Sequence, residues 1–125
     1  DIDKFKLVND TYGHTIGDNV IISLASLLIK HTRESDIVAR IGGEEFAILL
    51  ANTSLDESVN IANKLREYVE KTEIEINDKT VLKFTISLGV SKVLENDKNI
   101  DSFLNRADKA LYKAKENGRN RVEIN

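Results

Sequence analysis

At 125 residues, of which 41% are apolar and 31% charged, the chain has the composition of one globular domain, large enough to bury a core and too short for two. Its net charge of -3 argues against a nucleic-acid backbone as the main partner and leaves a small phosphorylated ligand open. The lack of cysteine excludes disulfides and thiolate metal sites and fits a reducing compartment, and no apolar run approaches the ~20 residues of a membrane span.

After a polar opening, Gly17 to Thr32 carries Val20, Ile21, Leu24, Leu27 and Leu28 at helical spacing, with Asp18 near the start, where a carboxylate complements the helix dipole. The stretch ARIGGEEFAILL, Ala39 to Leu50, follows. Ile37 to Ile41 and Phe46 to Leu50 read as strands, and Gly42 with Gly43 suits a tight reversal between them. A hairpin does not need the adjacent Glu44 and Glu45, however. Two carboxylates ~4 Å apart repel by about 4 kcal/mol at an effective dielectric of about 20. Either the turn is solvated or something positive sits there, and these residues alone leave both open.

Ser54 to Lys71 opens with Ser54 and Glu57 at capping-box spacing and continues with Val59, Ile61, Ala62, Leu65 and Val69, which predicts a helix. Glu73 to Ile76 and Thr80 to Val93 form a second hairpin about Asn77 and Asp78, with Val81, Lys83, Thr85 and Ser87 alternating with Leu82, Phe84, Ile86 and Leu88. A last helix, Asp101 to about Asn117, turns Phe103, Leu104, Ala107, Ala110, Leu111 and Ala114 inward, stops at Gly118 and releases a short strand around Val122. This order predicts the α+β class, an α/β sandwich with a central, largely antiparallel five-stranded sheet covered by helices. The chain contains no methionine and opens on DIDKFK, which reads as the end of a strand lying upstream of residue 1, so it is expected to be a piece of a longer protein.

Familiar signatures are absent. Neither GxxxxGK[ST] nor GxGxxG occurs, against a P-loop nucleotidase and a dinucleotide dehydrogenase. Asp1 and Asp3 begin like a calcium loop, but Phe5 replaces a ligand, Lys6 sits where glycine is needed and Tyr12 replaces the bidentate glutamate. His14 and His31 lack ligand spacing and read as structural or surface residues.

Four segments nevertheless occur together and in order: DIDKFKLVNDTYGHTIGD from Asp1, RESDIVARIGGEEF from Arg33, TISLGV from Thr85 and ADKALYKAKENGRN from Ala107. Together they resemble the GGDEF domain of bacterial diguanylate cyclases, with the signature spelled GGEEF from Gly42 to Phe46. The resemblance covers residues 1–125 as a single domain and departs from the family at the front, where the first helix and strand are missing. It implies the nucleotidyl cyclase or polymerase-palm fold.

It also implies magnesium, or manganese in its place, held by Asp1 and Glu44 with the main-chain carbonyl of Ile2. Such hard cations take oxygen ligands and substrate phosphates, which accounts for carboxylates rather than imidazoles. The paired glycines let backbone approach the nucleotide. Asn9 and Asp18 match guanine readers, since a carboxylate accepts from the ring N–H and exocyclic amine that adenine does not pair in this way. Their structural alternatives are a turn residue for Asn9 and a helix-start carboxylate for Asp18. Main-chain amides from Asp3 to Phe5 would cradle phosphates. Lys115 and Arg119 match γ-phosphate contacts, with dipole-complementing cations at a helix end as the alternative. Arg33 and Asp36 match the RxxD pattern that binds product as an inhibitor, a task suited to the arginine fork. Lys6, Asp10, Tyr12 and His14 belong to the matched string without an assigned role.

The implied activity is the condensation of two GTP into cyclic di-GMP with release of two pyrophosphates, each of two facing domains contributing one GTP. Glu45 orients or deprotonates the attacking hydroxyl, or is a second metal ligand or a structural partner; strand alternation points it away from Glu44. The partners implied are GTP, cyclic di-GMP as product and inhibitor, a second GGDEF domain in a homodimer, and a sensory or regulatory module upstream of Asp1. No nucleic-acid partner and no membrane segment are expected in this fragment. The setting is the bacterial cytoplasm, with tethering to the inner membrane by the upstream part as a variant of it. Two other readings stand beside this one: a catalytically inactive GGDEF domain serving as a GTP or cyclic di-GMP receptor, and a sheet-based RNA-binding module, for which no stacking platform is evident.

Overall fold

The computed structural model describes residues 1–125. Two helices open the chain where one was expected. Lys4, in the left-handed region at φ 54°, turns the backbone out of the Asp1–Asp3 segment and into α1, Phe5–Tyr12. This helix escapes sequence reading because Val8 is its one buried residue and its other positions are mostly polar. Gly13, at φ 90°, breaks the run and starts α2, His14–Lys30. Asp18 therefore lies beyond the first turn of α2, which corrects its reading as a helix-start carboxylate. Val20, Ile21, Leu24 and Leu28 are buried along one stripe of α2 as their spacing requires.

Strands β1, Ile37–Gly42, and β2, Glu45–Leu49, form the first hairpin, with Arg40 opposite Phe46 and Gly42 opposite Glu45. The reversal therefore falls on Gly43 and Glu44, one residue later than the Gly-Gly pair suggested, with an irregularity at Ile41. Arg40 donates from Nε to the Gly43 carbonyl at 2.9 Å and braces the tip. Helix α3, Leu55–Lys71, starts as its capping box dictates, the Ser54 hydroxyl accepting from the Glu57 amide at 3.2 Å. Strands β3, Ile74–Asn77, and β4, Thr80–Leu82, make the second hairpin, where the Asn77 side chain accepts from the Lys79 amide at 3.0 Å. Strand β5, Leu88–Val90, helix α4, Ile100–Glu116, and strand β6, Val122–Ile124, complete the chain. Asn99 caps α4 by accepting from the Ser102 amide, so the helix starts one residue before Asp101.

The α+β class is as expected, but the strands form three two-stranded ladders instead of one five-stranded sheet: β1 with β2 and β3 with β4, both antiparallel, and β5 with β6, parallel. The reason lies in the run from Thr80 to Val90, which changes partner along its length. It pairs first with β3, then with residues 1–3 through the bridge between Ile2 and Ile86, then with β6. Residues 1–3 are the seam of the whole arrangement. The Ile2 amide donates to the Glu44 carbonyl at 3.3 Å, the Asp3 amide to the Thr85 carbonyl at 2.9 Å, and the Ser87 amide to the Asp1 carbonyl at 3.0 Å. Three residues give too few rungs to count as a strand, so the sheet divides there.

Leu82, Phe84 and Ile86 bury one face of the long run against Leu24, Leu65 and Val69 of the helices, and Ile2 completes the cluster at 2% exposure. Each such side chain contributes about 1.5–3 kcal/mol by leaving water. Helix α4 lies so close to β5 that a Cβ on Gly89 would stand 2.0 Å from the Ala107 carbonyl oxygen. That contact fixes the end of α4 beside the Asp1–Asp3 seam.

Candidate functional site

The seam gathers the acidic and basic residues singled out above. Asp1, with a side chain 4% exposed, meets Lys115 from the last turn of α4, Nζ to Oδ2 at 2.5 Å. Through the Ile2 amide the same segment touches the tip of the first hairpin at Glu44. Glu44 and Glu45 are half-buried and take part in no hydrogen bond or ion pair of their side chains, so the hairpin presents two carboxylates without a cation in contact. No three His, Cys, Asp or Glu side chains converge anywhere in the molecule. An all-protein cage is therefore not what these donors make. Two carboxylates and one carbonyl, with the remaining positions open to phosphate oxygens and water, is the donor set that suits magnesium. Asp1, Glu44 and the Ile2 carbonyl fit that description.

Gly42 and Gly43 are not needed for their backbone conformation, since neither has a positive φ. A Cβ at either would meet nothing within 4 Å. The space beside them is open on the same edge as Glu44.

A second group of residues sits where α1 meets α2. The Asn9 Oδ1 atom is buried and has no hydrogen-bond partner. A Cβ on Gly17 would stand 1.8 Å from that oxygen, so the absence of a side chain at Gly17 is what admits the Asn9 amide. Leaving a buried acceptor unmet costs about 1–3 kcal/mol. Asp18, one residue along from Gly17, is exposed and unpaired. The amide cradle expected over Asp3 to Phe5 is narrower than it appeared, because the Asp3 amide is spent on Thr85. The first helical bond of α1 is donated by the Val8 amide to the Lys4 carbonyl at 3.2 Å, which leaves the Lys4 and Phe5 amides for a ligand.

Comparison with known proteins decides the family. Residues 1–121 match the family described as "Diguanylate cyclase, GGDEF domain". The chain belongs to the GGDEF domain family. It is 45% identical over 124 residues to Diguanylate cyclase A of Treponema denticola, covering 99% of this chain and 33% of that protein. Among solved structures, the active GGEEF domain of a diguanylate cyclase from Vibrio cholerae superposes with a TM-score of 0.90 at 38% identity, covering 99% of this chain and 78% of the other. The GGDEF domain of DgcB from Caulobacter crescentus, solved in complex with c-di-GMP, superposes with a TM-score of 0.93 at 33% identity, covering 99% and 73%. The chain spans about a third of the length of the curated relatives it matches.

Within this GGDEF domain the remaining predicted residues separate into two places. Arg119 follows α4 and is not a helix-end cation, since it lies past Gly118 at φ 64°. Its guanidinium makes no hydrogen bond and no ion pair, and it lines a hollow of about 470 Å³ together with Lys4 and Lys83. Arg33 and Asp36 lie apart from this edge, between α2 and β1. The Arg33 guanidinium donates to both Asp36 oxygens at 3.3 and 3.2 Å, to the Ala51 carbonyl and to the Thr53 hydroxyl. Asp36, its side chain 2% exposed, also accepts from the Arg33 and Ala51 amides, and the Arg33 hydrogen bond holds its carboxyl below the ordinary carboxylate range. Asp36 is thus a brace of the loop, and Arg33 is the exposed partner.

Sequence reading missed Asp3, Asn120 and the α3 pair Arg66 and Glu70, which the structure joins into one network. One signal was present: Thr85 and Ser87 share a strand face and are small hydroxyls, and both donate to the Asp3 carboxylate, at 2.8 and 2.6 Å.

Proposed function

We propose that this domain is the catalytic half of a diguanylate cyclase, condensing two GTP into cyclic di-GMP with release of two pyrophosphates. The observation that carries the reading is the contact between Lys115 and Asp1 beside Glu44: a cation suited to a terminal phosphate touches a carboxylate suited to the metal that such a phosphate brings. The metal, magnesium or manganese, supplies charge neutralisation at the α-phosphate and at the leaving pyrophosphate when it is held by Asp1, Glu44 and the Ile2 carbonyl.

Every other part of the reaction falls to side chains and backbone. Asn9 and Asp18 bind the guanine edge, the buried Asn9 oxygen accepting from the base and Asp18 taking the paired N–H groups. The Lys4 and Phe5 amides, with Lys115 and Arg119, bind the phosphate chain. The 3′-hydroxyl of one nucleotide attacks the α-phosphorus of the other, forming one P–O bond as the bond to pyrophosphate breaks. We assign the hydroxyl proton to Glu45, whose half-buried carboxylate has no donor of its own. One domain binds one GTP, so the reaction needs two copies face to face, brought together by a dimerising or sensory segment of the longer protein. Product returning to the exposed Arg33 guanidinium, which Asp36 braces from behind, would inhibit by holding two domains apart. Because GTP is a cytoplasmic metabolite, the reading assigns the domain to the bacterial cytoplasm; no helix is long and apolar enough to cross a membrane.

The test is incubation of the protein that carries this domain with GTP and magnesium, followed by chromatography of the nucleotides. Cyclic di-GMP that is formed by the wild type and lost in Glu44→Ala supports the cyclase. Guanine nucleotide bound without product at high protein concentration replaces it with the receptor.

A further inference from the structure

Arg119 and Asn120 are consecutive non-glycine residues in the left-handed region, at φ 64° and φ 45°. L-residues other than glycine adopt that conformation at a cost, asparagine least among them, so two in a row need to be held. Arg119 is held on its own main chain, its amide donating to the Ala114 carbonyl at 2.9 Å and its carbonyl accepting from Arg121 Nε at 3.2 Å, and the other hold is Asn120. Its amide donates to the Asp3 Oδ2 at 3.0 Å, its side-chain nitrogen donates to Glu70, and its side-chain oxygen accepts from Arg66 Nη1 at 3.3 Å. Asp3, 8% exposed, is fixed in turn by the Thr85 and Ser87 hydroxyls. A continuous set of bonds therefore runs from α3 through Asn120 to Asp3, in the same short segment as Asp1, and on to Thr85 and Ser87. Arg119 itself is different. No side chain or carbonyl holds its guanidinium, so what the fold sets is the point from which this flexible side chain starts and the region its rotamers reach.

We propose that Asn120 and Asp3 are positioning residues, and that their clamp fixes the left-handed backbone at Arg119 so that its guanidinium reaches the terminal phosphate of the nucleotide. This rests on the reading of Arg119 as a phosphate contact. Asparagine is the residue the position requires, because it combines tolerance of the left-handed region with a donor for Glu70 and an acceptor for Arg66. Aspartate would oppose Glu70 with a second carboxylate, and glycine would keep the conformation while losing both side-chain bonds.

The clamp could instead do no more than tie α3 to the sheet, and nucleotide preference separates the two roles. Affinity for a GTP analogue with a methylene between the α and β phosphorus atoms, and for GDP, is measured by calorimetry with magnesium on the protein that carries this domain, alongside thermal unfolding. The wild type should prefer the triphosphate, and Arg119→Ala should lose about tenfold of that preference, the share of a hydrogen-bonded charge. Asn120→Gly, which folds readily at a left-handed position, should lose the preference without loss of GDP affinity. Arg119→Ala combined with Asn120→Gly should fall no lower than Arg119→Ala. Glu70→Ala, an exposed change on α3, should move in the same direction. Retained preference in both Asn120→Gly and Glu70→Ala, or a double variant well below Arg119→Ala, overturns the positioning role and leaves Arg119 as a phosphate contact. Unchanged preference in Arg119→Ala overturns both together.

Discussion

Lys115 Nζ stands 2.5 Å from Asp1 Oδ2, and the two side chains differ in exposure, 35% for the lysine and 4% for the aspartate. The pair is therefore anchored by a carboxylate that cannot reach water and neutralised by an ammonium that can. A lysine on the solvent side of such a pair is free to be exchanged for another cation. Lys115→Ala should leave Asp1 buried and unpaired and cost about 1–3 kcal/mol, less than a fully buried pair because the lysine is open to solvent. Added magnesium should then raise the melting temperature of the variant more than that of the wild type, by mass action on the emptied carboxylate. Equal shifts in the two proteins would remove Asp1 from the metal's ligands.

The unsatisfied oxygen of Asn9 predicts a conflict between stability and binding. Asn9→Ala removes a buried acceptor that the free domain leaves unmet, so unfolding free energy should stay level or rise by up to about 1 kcal/mol. Guanine-nucleotide affinity should fall about tenfold or more in the same variant. Gly17→Ala should lower both, since the new Cβ collides with the Asn9 amide. Denaturant titration and nucleotide binding on the two variants check this; an Asn9→Ala protein that is clearly destabilised would mean that the oxygen has a partner in the free domain.

What the sequence disclosed follows from how local each signal is. Helix α3 announced itself through Ser54 and Glu57, whose bond spans three residues. Helix α1 did not, because its apolar side is little more than Phe5 and Val8 and its start depends on a left-handed lysine. The alternation from Val81 to Leu88 was legible, yet the exchange of partners along it was not, since pairing with residues 1–3 is a tertiary fact. Charge disclosed the carboxylates of the hairpin tip, whereas Lys115 and Arg119 were singled out by the resemblance alone. The bond from Asn120 to Asp3 joins residues 117 apart, and neither has a partner nearby that would suggest it.

Gly42 and Gly43 give a clean separation of fold from function. Both have ordinary φ and open space where a Cβ would go. Gly42→Ala and Gly43→Ala should therefore leave unfolding free energy within about 0.5 kcal/mol of wild type. Cyclic di-GMP formation should nonetheless fall by about 100-fold, as expected when a methyl group displaces a nucleotide by an ångström from its reacting position. Full activity in both variants would show that no substrate passes close to the hairpin tip.

The acid limb of stability should be set by two carboxylates remote from the nucleotide edge. Asp97 receives the Arg106 fork at 2.8 and 2.7 Å and the Leu94 amide at 2.7 Å, and the arginine bond, followed by the amide, lowers its carboxyl from 3.8 to about 2. Asp36 is lowered in the same direction, chiefly by Arg33. A carboxylate whose folded value lies below its unfolded one binds fewer protons in the folded state between the two values, so stability rises with pH across that window. The contribution is complete above about pH 4 and is lost as pH falls toward 2. Asp97→Asn should accordingly be less stable than wild type at pH 7, with the difference closing as the pH is lowered through that range. Urea unfolding at intervals from pH 7 to the acid limit gives the two curves, and curves that stay parallel throughout would mean that the Arg106 fork does not bind the ionised form preferentially.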